Sequence, residues 1–300
     1  MVNSPYFSIV IPTYNRPKRL ANCLNAVARL DYPGDRFEVI VADDGSDIPL
    51  DSVVALLQDK MQIKLLRQKN AGPAAARNLG VAEARGEYIA FTDDDCQPTA
   101  DWLTQFAAAA KSAPEALLGG KTINALTDNP FSTASQTLID YLYKYFDPAK
   151  TKDAFFTSNN TAMPIANFKA LNGFDISFRP ASEDRDLCDR SNRVYPMVYV
   201  PTAKVEHFHK LNLISFWKQH FSYGRGAFNF YKTGFERSSQ VTKVKQLSFY
   251  SQLLFYPFTE NLTQPKILIS SLFFLSQIAN VAGYFWEKYN LNFGIKDYYE

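Results

Sequence analysis

The chain has 300 residues, 46% of them apolar and 15% aromatic, with a net charge of +2. That length holds one large α/β domain, or a domain with an appendage, and the small net charge excludes a global nucleic-acid footprint. Three widely spaced cysteines, Cys23, Cys96 and Cys188, lie outside any CxxC pattern, so neither a disulfide framework nor a thiolate metal site is expected.

The opening "MVNSPYFSIVIPTYNRP" enters a strand at once, with no basic n-region followed by an apolar h-region. No secretory signal is expected, and the catalytic part is expected in the cytosol. "FSIVIP" (7–12) is a continuous apolar run of strand length. Leu20, Cys23, Leu24, Val27 and Leu30 then recur at helical spacing, with Asn15 as candidate cap and Pro17 in the first turn. "FEVIVA" (37–42) is a second buried strand stopped by "DDGS", and "QIKLL" (62–66) a weaker third. "GPAAARNLGVAEARG" (72–86) reads as a helix between two glycines, and "EYIAFT" as a fourth strand. This β-α-β rhythm, apolar on both strand faces, predicts a mainly parallel sheet flanked by helices.

Further on, "DWLTQFAAAAKSA" reads as a helix and "ALLGG" as a short strand, while residues 121–155 look aromatic and irregular. "EDRDLCDRSNRV" (183–194) is a helix with acids in its first turn, and "MVYVPTAKVEHFH" (197–209) is extended. Between Lys210 and Lys266 eight Lys/Arg face two acids, Glu236 and Glu260. "ILISSLFFLSQIANVAGYFW" (267–286) follows without a charge; as a helix it is about 30 Å long, one hydrocarbon thickness. The basic excess beside it favours an anionic membrane surface. A spanning helix, an interfacial helix and a buried hairpin all fit this stretch.

"EYIAFTDDDCQP" (87–98) ends an apolar strand on three carboxylates. If the extended geometry persists, Asp93 and Asp95 point the same way, at a repulsive cost of ~3 kcal/mol for an effective dielectric of 20. A hard divalent cation, Mg²⁺ or Mn²⁺, held by Asp93 and Asp95 and completed by a diphosphate explains that charge. In open α/β sheets ligands bind beyond the carboxyl ends of strands, where "PTYN", "DDGS" and "DDD" all fall. No G-x-G-x-x-G follows the first strand and no P-loop occurs, which disfavours dinucleotide and NTPase folds.

"SIVIPTYNRPKRLANCLNAV", "VIVADDGS", "NAGPAAARNLGVAEARGEYIAFTDDDCQP", "NGFDISF" and "EDRDLCDR", in that order, resemble the family 2 glycosyltransferases, inverting enzymes of the GT-A fold. The resemblance covers roughly residues 7–209 and implies a nucleotide-sugar donor, a divalent metal and an acceptor hydroxyl. By position, Pro12, Tyr14, Asp43 and Asp44 match the segments lining the nucleoside pocket. One of the two acids would accept from a uracil N3–H; the residues do not choose between them. Asn70, Gly72 and Arg77 match the loop and helix start that close over the nucleotide. Asp93 and Asp95 match the metal-binding D-x-D, with Asp94 nearer the ribose.

Asp184 takes the position of the catalytic base, with Glu183 beside it. An acceptor hydroxyl is a weak nucleophile and must lose its proton as it attacks. "KVEHFH" supplies a third metal ligand, and alternation puts His207 and His209 on the same face; His207 is closer to the family's usual position. His220 reads as structural. Arg225 in "QHFSYGRGA" reads either as a phosphate contact or as a solvated helix end. Asn160 matches a family asparagine. Pro164 and Ile165 stand where a basic residue is common, and Ser182 stands where glycine is usual. The processive-synthase QxxRW signature is absent, which implies transfer of one or a few sugars.

These readings give a GT-A domain over 1–209 and a helical hydrophobic C-terminal segment over 210–300. The expected donor is a nucleotide-sugar, with a UDP-sugar favoured. The expected acceptor is a lipid-linked glycan or an envelope polysaccharide, reached from the cytoplasmic face of the cell membrane. Two rivals remain: a sugar-1-phosphate nucleotidyltransferase, although "PTYNRPKRL" lacks its glycines, and a catalytically silent membrane adaptor.

Overall fold

The structure, a computed structural model, describes residues 4–151, 153–238 and 245–293; Lys243 of the basic stretch lies outside them. The chain runs β1 (Phe7–Thr13), α1 (Pro17–Val27), β2 (Phe37–Asp43), α2 (Asp51–Ala55), β3 (Ile63–Arg67), α3 (Pro73–Ala82) and β4 (Tyr88–Thr92). It continues through β5 (Cys96–Pro98), α4 (Trp102–Ser112), β6 (Leu117–Asn124), α5 (Pro130–Tyr145), β7 (Asn160–Pro164), α6 (Ile165–Ala170), α7 (Glu183–Asn192) and β8 (Met197–His207). It closes with α8 (Leu213–Ser238), α9 (Leu247–Thr259) and α10 (Lys266–Phe293).

Two compact units form. One comprises Met1–Ala125, Phe146–Ile176 and Asp184–Phe208; the other comprises Leu126–Tyr145, Ser177–Glu183 and His209–Glu300.

The first unit is built on a sheet of order β3-β2-β1-β4-β7-β6-β8-β5. β1, β2 and β4 are buried at every position, as runs apolar on both faces require. β1 runs parallel to β2 and β4, and β2 to β3, so the carboxyl ends of the first four strands share one edge. β7 is antiparallel to β4 and to β6, whereas β6 and β8 run parallel. Leu20, Leu24 and Val27 of α1 and Trp102 and Phe106 of α4 join Phe7, Ile9 and Ile11 of β1 in one core. Asn160 knits this side together. It accepts from Trp102 Nε1 at 2.8 Å and donates to the carbonyls of Lys121 and Ala203, both at 3.0 Å.

Three local readings change. Asn15 does not cap α1; Arg16 holds that position without a side-chain bond. Asn15 instead takes φ 55° and clasps the turn after β2, accepting from the Asp47 N–H at 2.8 Å. α3 stops at Ala82, short of Gly86. The stretch read as irregular holds the 16-residue α5. Its hydroxyl and amide side chains, Ser132 to Thr137, are buried, which blurs the apolar period. Asn129 caps it, accepting from the N–H groups of Phe131 and Ser132, and Pro130 fills its first position.

In the second unit α9 and α10 form a hairpin, with Ser270 Oγ donating to the Leu254 carbonyl at 2.8 Å. α8 and α10 meet backbone to backbone: a Cβ on Gly224 would stand 1.9 Å from the Asn280 carbonyl oxygen, and one on Gly283 1.9 Å from that of Phe221. Arg225 is neither solvated nor free for a phosphate. Its Nε pairs with Glu287 at 2.6 Å, and Asn229 donates to the same carboxylate.

Candidate active site

The loops after β1, β2 and β4 converge at the carboxyl edge of the sheet. Thr13 Oγ1 donates to Asp94 Oδ2 at 2.8 Å, and the Asp44 N–H donates to the Thr13 carbonyl at 2.9 Å. The two acids of "DDGS" divide their work. Asp43 Oδ1 accepts from the N–H and the hydroxyl of Ser46, while Oδ2 lies 3.7 Å from Arg67. Asp44 accepts from Gln68 and from the Ala71 and Gly72 N–H groups, using both oxygens. It thereby fixes the Asn70–Gly72 loop. Gly45 allows the crossing: φ is 86° and a Cβ would stand 2.9 Å from the Asn70 nitrogen. Pro12 is buried in β1, while Tyr14 and Asn70 are exposed at the rim.

Extended geometry does not persist through "DDD". β4 ends at Thr92, and a turn follows in which the Cys96 N–H donates to the Asp93 carbonyl. Each of the three carboxylates meets a guanidinium. Asp93 pairs with Arg77 at 2.7 Å, Asp94 with Arg16 at 3.2 Å and Asp95 with Arg19 at 3.0 Å. Arg16 and Arg19 are residues of the candidate site that the sequence reading missed; the cations of "RPKR" just after β1 were the available signal. Strand alternation therefore does not set the directions of Asp93 and Asp95.

β5 pairs antiparallel with β8, placing Cys96 opposite His207. Asp95 Oδ1 lies 3.3 Å from His207 Nε2. β8 ends at His207, so the alternation expected to carry His209 does not reach it. His209 is buried in the second unit, its carbonyl accepting from Ser132 Oγ. Ligand atoms of Asp95, Cys96 and His207 lie within 4.8 Å of one another. Burial pushes the Cys96 thiol well above its usual range, with Asp93 and Asp95 adding to the shift. It therefore stays protonated and leaves a carboxylate oxygen and an imidazole nitrogen as donors, a set that fits Mn²⁺ or Mg²⁺.

The carboxylates titrate apart. Burial raises Asp94 to about 6 against the opposing pull of Arg16. Burial also pushes Asp95 up, but His207, Arg16 and Arg19 outweigh it and hold the acid at about 2. Neighbouring acids driven apart in this way mark sites of proton and charge chemistry.

Arg77 is buried, with its guanidinium over the Phe174 ring at 5.6 Å. Asp184, the second residue of α7, accepts from the Arg185 N–H at 2.7 Å. Burial raises its pKa, opposed by that bond and by Arg77. Glu183 opens α7 and is buried. Ser182 takes φ 81°, a left-handed backbone; glycine is the residue that adopts it without strain. His220 of α8 is buried with no hydrogen bond on either ring nitrogen, against Phe216 and Tyr223.

A sheet of this order, carrying its acids along one edge, has the architecture of the GT-A fold. The fold matches a mannosyltransferase from Pyrobaculum calidifontis solved with GDP-Man and Mn²⁺, with a TM-score of 0.61, 17% identity, and coverage of 98% of this chain and 80% of that one. It also matches residues 1–349 of Staphylococcus aureus TarS solved with UDP, with a TM-score of 0.53, 19% identity and coverage of 98% and 93%. Residues 8–172 match the profile described as Glycosyl transferase family 2, and the chain belongs to that family. Glycosyltransferase AglE of Haloferax volcanii is 34% identical over 119 residues, which is 39% of either chain. The Pasteurella multocida chondroitin synthase is 30% identical over 224 residues, 73% of this chain but only 22% of that one. The matched stretches thus span well under half of these relatives.

Proposed function

We propose that the chain moves a sugar from a UDP-sugar to an acceptor hydroxyl, with inversion, in a metal-dependent reaction. The gathering of Asp93, Asp95, His207 and Arg77 at one sheet edge carries this reading. Asp95 and His207, with Asp93, would hold a Mn²⁺ or Mg²⁺ that neutralises the departing diphosphate. Arg77 adds fixed positive charge beside Asp93. Asp43, whose Oδ2 has only a 3.7 Å partner, suits a uracil N3–H better than Asp44, whose oxygens are both taken. Pro12, Tyr14, Asn70 and Gly72 line the nucleoside, and Asp94 lies toward the ribose.

Asp184 takes the acceptor proton as the hydroxyl oxygen bonds to the anomeric carbon. The carbon–oxygen bond to the diphosphate breaks, and its electron pair leaves with that group. A base with a raised pKa is better matched to neutral pH. Glu183 supports this region. Residues 1–209 carry the donor chemistry and 210–300 serve a membrane-bound acceptor, a lipid-linked glycan or envelope polysaccharide at the cytoplasmic face.

A panel of UDP- and GDP-sugars with a lipid-linked acceptor, followed for nucleoside diphosphate release, tests this. The expected outcome is Mn²⁺-dependent release from UDP-sugars, abolished by chelation. Undiminished turnover after chelation overturns the metal assignment; pyrophosphate release from UTP and a sugar phosphate overturns the transferase reading for this substrate.

A further inference from the structure

Among the described residues, the three C-terminal helices of the second unit carry an exposed apolar surface. α10 buries one side, with Ile269, Phe273, Ser276, Ala279 and Glu287. Its opposite side stays open: Phe274, Ile278, Val281, Phe285 and Trp286 are 45 to 59% exposed. Phe274, Ile278, Val281 and Phe285 recur at three to four residues, a continuous stripe along one helix face. Phe255 and Phe258 of α9 are exposed as well. The stripe is bracketed by Lys266 and Lys288, with Trp286 and Tyr289 at its far end. Lysines and indole rings are the side chains that settle at the level of lipid headgroups.

Charge points to the same occupant. The second unit holds twelve Lys/Arg against eight Asp/Glu, whereas the first holds twenty against twenty-two. The basic excess belongs to the same unit as the apolar stripe, which suits an anionic lipid surface.

The packing of α10 also decides how it meets the lipid. Its 28 residues make about 42 Å of helix, longer than the ~30 Å hydrocarbon layer. Its other side is locked to α8 by the Gly224 and Gly283 backbone contacts and by Arg225–Glu287. A spanning α10 would drag α8 into hydrocarbon, including the exposed Lys218 and Lys232. We propose that α10 lies in the plane of an anionic membrane, its Phe274–Phe285 stripe immersed and its α8 face dry inside the protein. This deepens, and rests on, the membrane-surface part of the proposed function.

Vesicle flotation of the full chain, without donor or acceptor, tests it independently of catalysis. Phosphatidylglycerol-containing vesicles are expected to bind at least tenfold more protein than pure phosphatidylcholine vesicles. Ile278→Glu combined with Phe285→Glu is expected to cut that binding at least tenfold while circular dichroism and UDP binding stay unchanged. Alkaline carbonate is expected to strip the chain from membranes of expressing cells. Retention after carbonate overturns the in-plane seat in favour of a spanning helix. Absence of vesicle binding overturns the proposal, and self-association abolished by the double substitution overturns it in favour of a second copy of the chain.

Discussion

Asp95 Oδ1 sits 3.3 Å from Nε2 of His207 because β5 and β8 pair with Cys96 opposite His207. The Phe208 N–H donates to the Asp95 carbonyl at 2.8 Å and fastens the same crossing. His207→Ala is therefore expected to weaken Mn²⁺-dependent UDP binding at least tenfold by titration calorimetry. His209→Ala is expected to leave it unchanged, and an equal loss in both variants would remove His207 as the ligand.

Asp184→Asn keeps the shape of the side chain but loses the proton acceptor. Turnover is expected to fall by about 10²–10⁴-fold, the usual worth of a general base. Donor affinity should stay within threefold of the native value. A variant that retains native turnover shows that another group takes the proton.

Asp43 and Asp44 are adjacent but unlike. Asp44→Ala strips the partners from two loop N–H groups and an amide, and is expected to cost about 2–3 kcal/mol of stability, read by denaturant unfolding. Asp43→Asn is expected to act chiefly on UDP affinity. Equal unfolding midpoints for Asp44→Ala and the native chain would contradict the loop-fixing role.

Burial holds His220 down at about 4. The unfolded chain takes up a proton near pH 6.5 and the folded one only near 4, so stability is full above pH 6.5 and falls as pH drops through that window. The loss attributable to this ring reaches about 3 kcal/mol at pH 4. His220→Phe is expected to flatten that part of the stability profile, measured by urea unfolding from pH 7 to pH 4.

Where neighbours in sequence decide the structure, reading the chain was enough. The apolar runs of β1, β2 and β4 could be buried only in a covered sheet, and the acids that end them could reach only one edge. The partners of those acids were not legible. Arg16, Arg19 and Arg77 meet Asp94, Asp95 and Asp93 through turns that alternation does not describe. α5 escaped notice because its buried face is made of serines, threonines and a glutamine; the Asn129–Pro130 start was the signal overlooked. Arg225 could not be assigned without Glu287, which only the folding of α10 onto α8 brings near.

Ser182 holds a positive φ with a side chain attached. The fold therefore keeps a small reserve of backbone tension at the threshold of α7, one residue before the acidic pair that opens it. Exchange for glycine would release roughly 1 kcal/mol of that tension while widening the conformations open to the unfolded chain. The helix start would then be held less firmly by its own backbone, so thermal stability and the crispness of Asp184's placement should move independently.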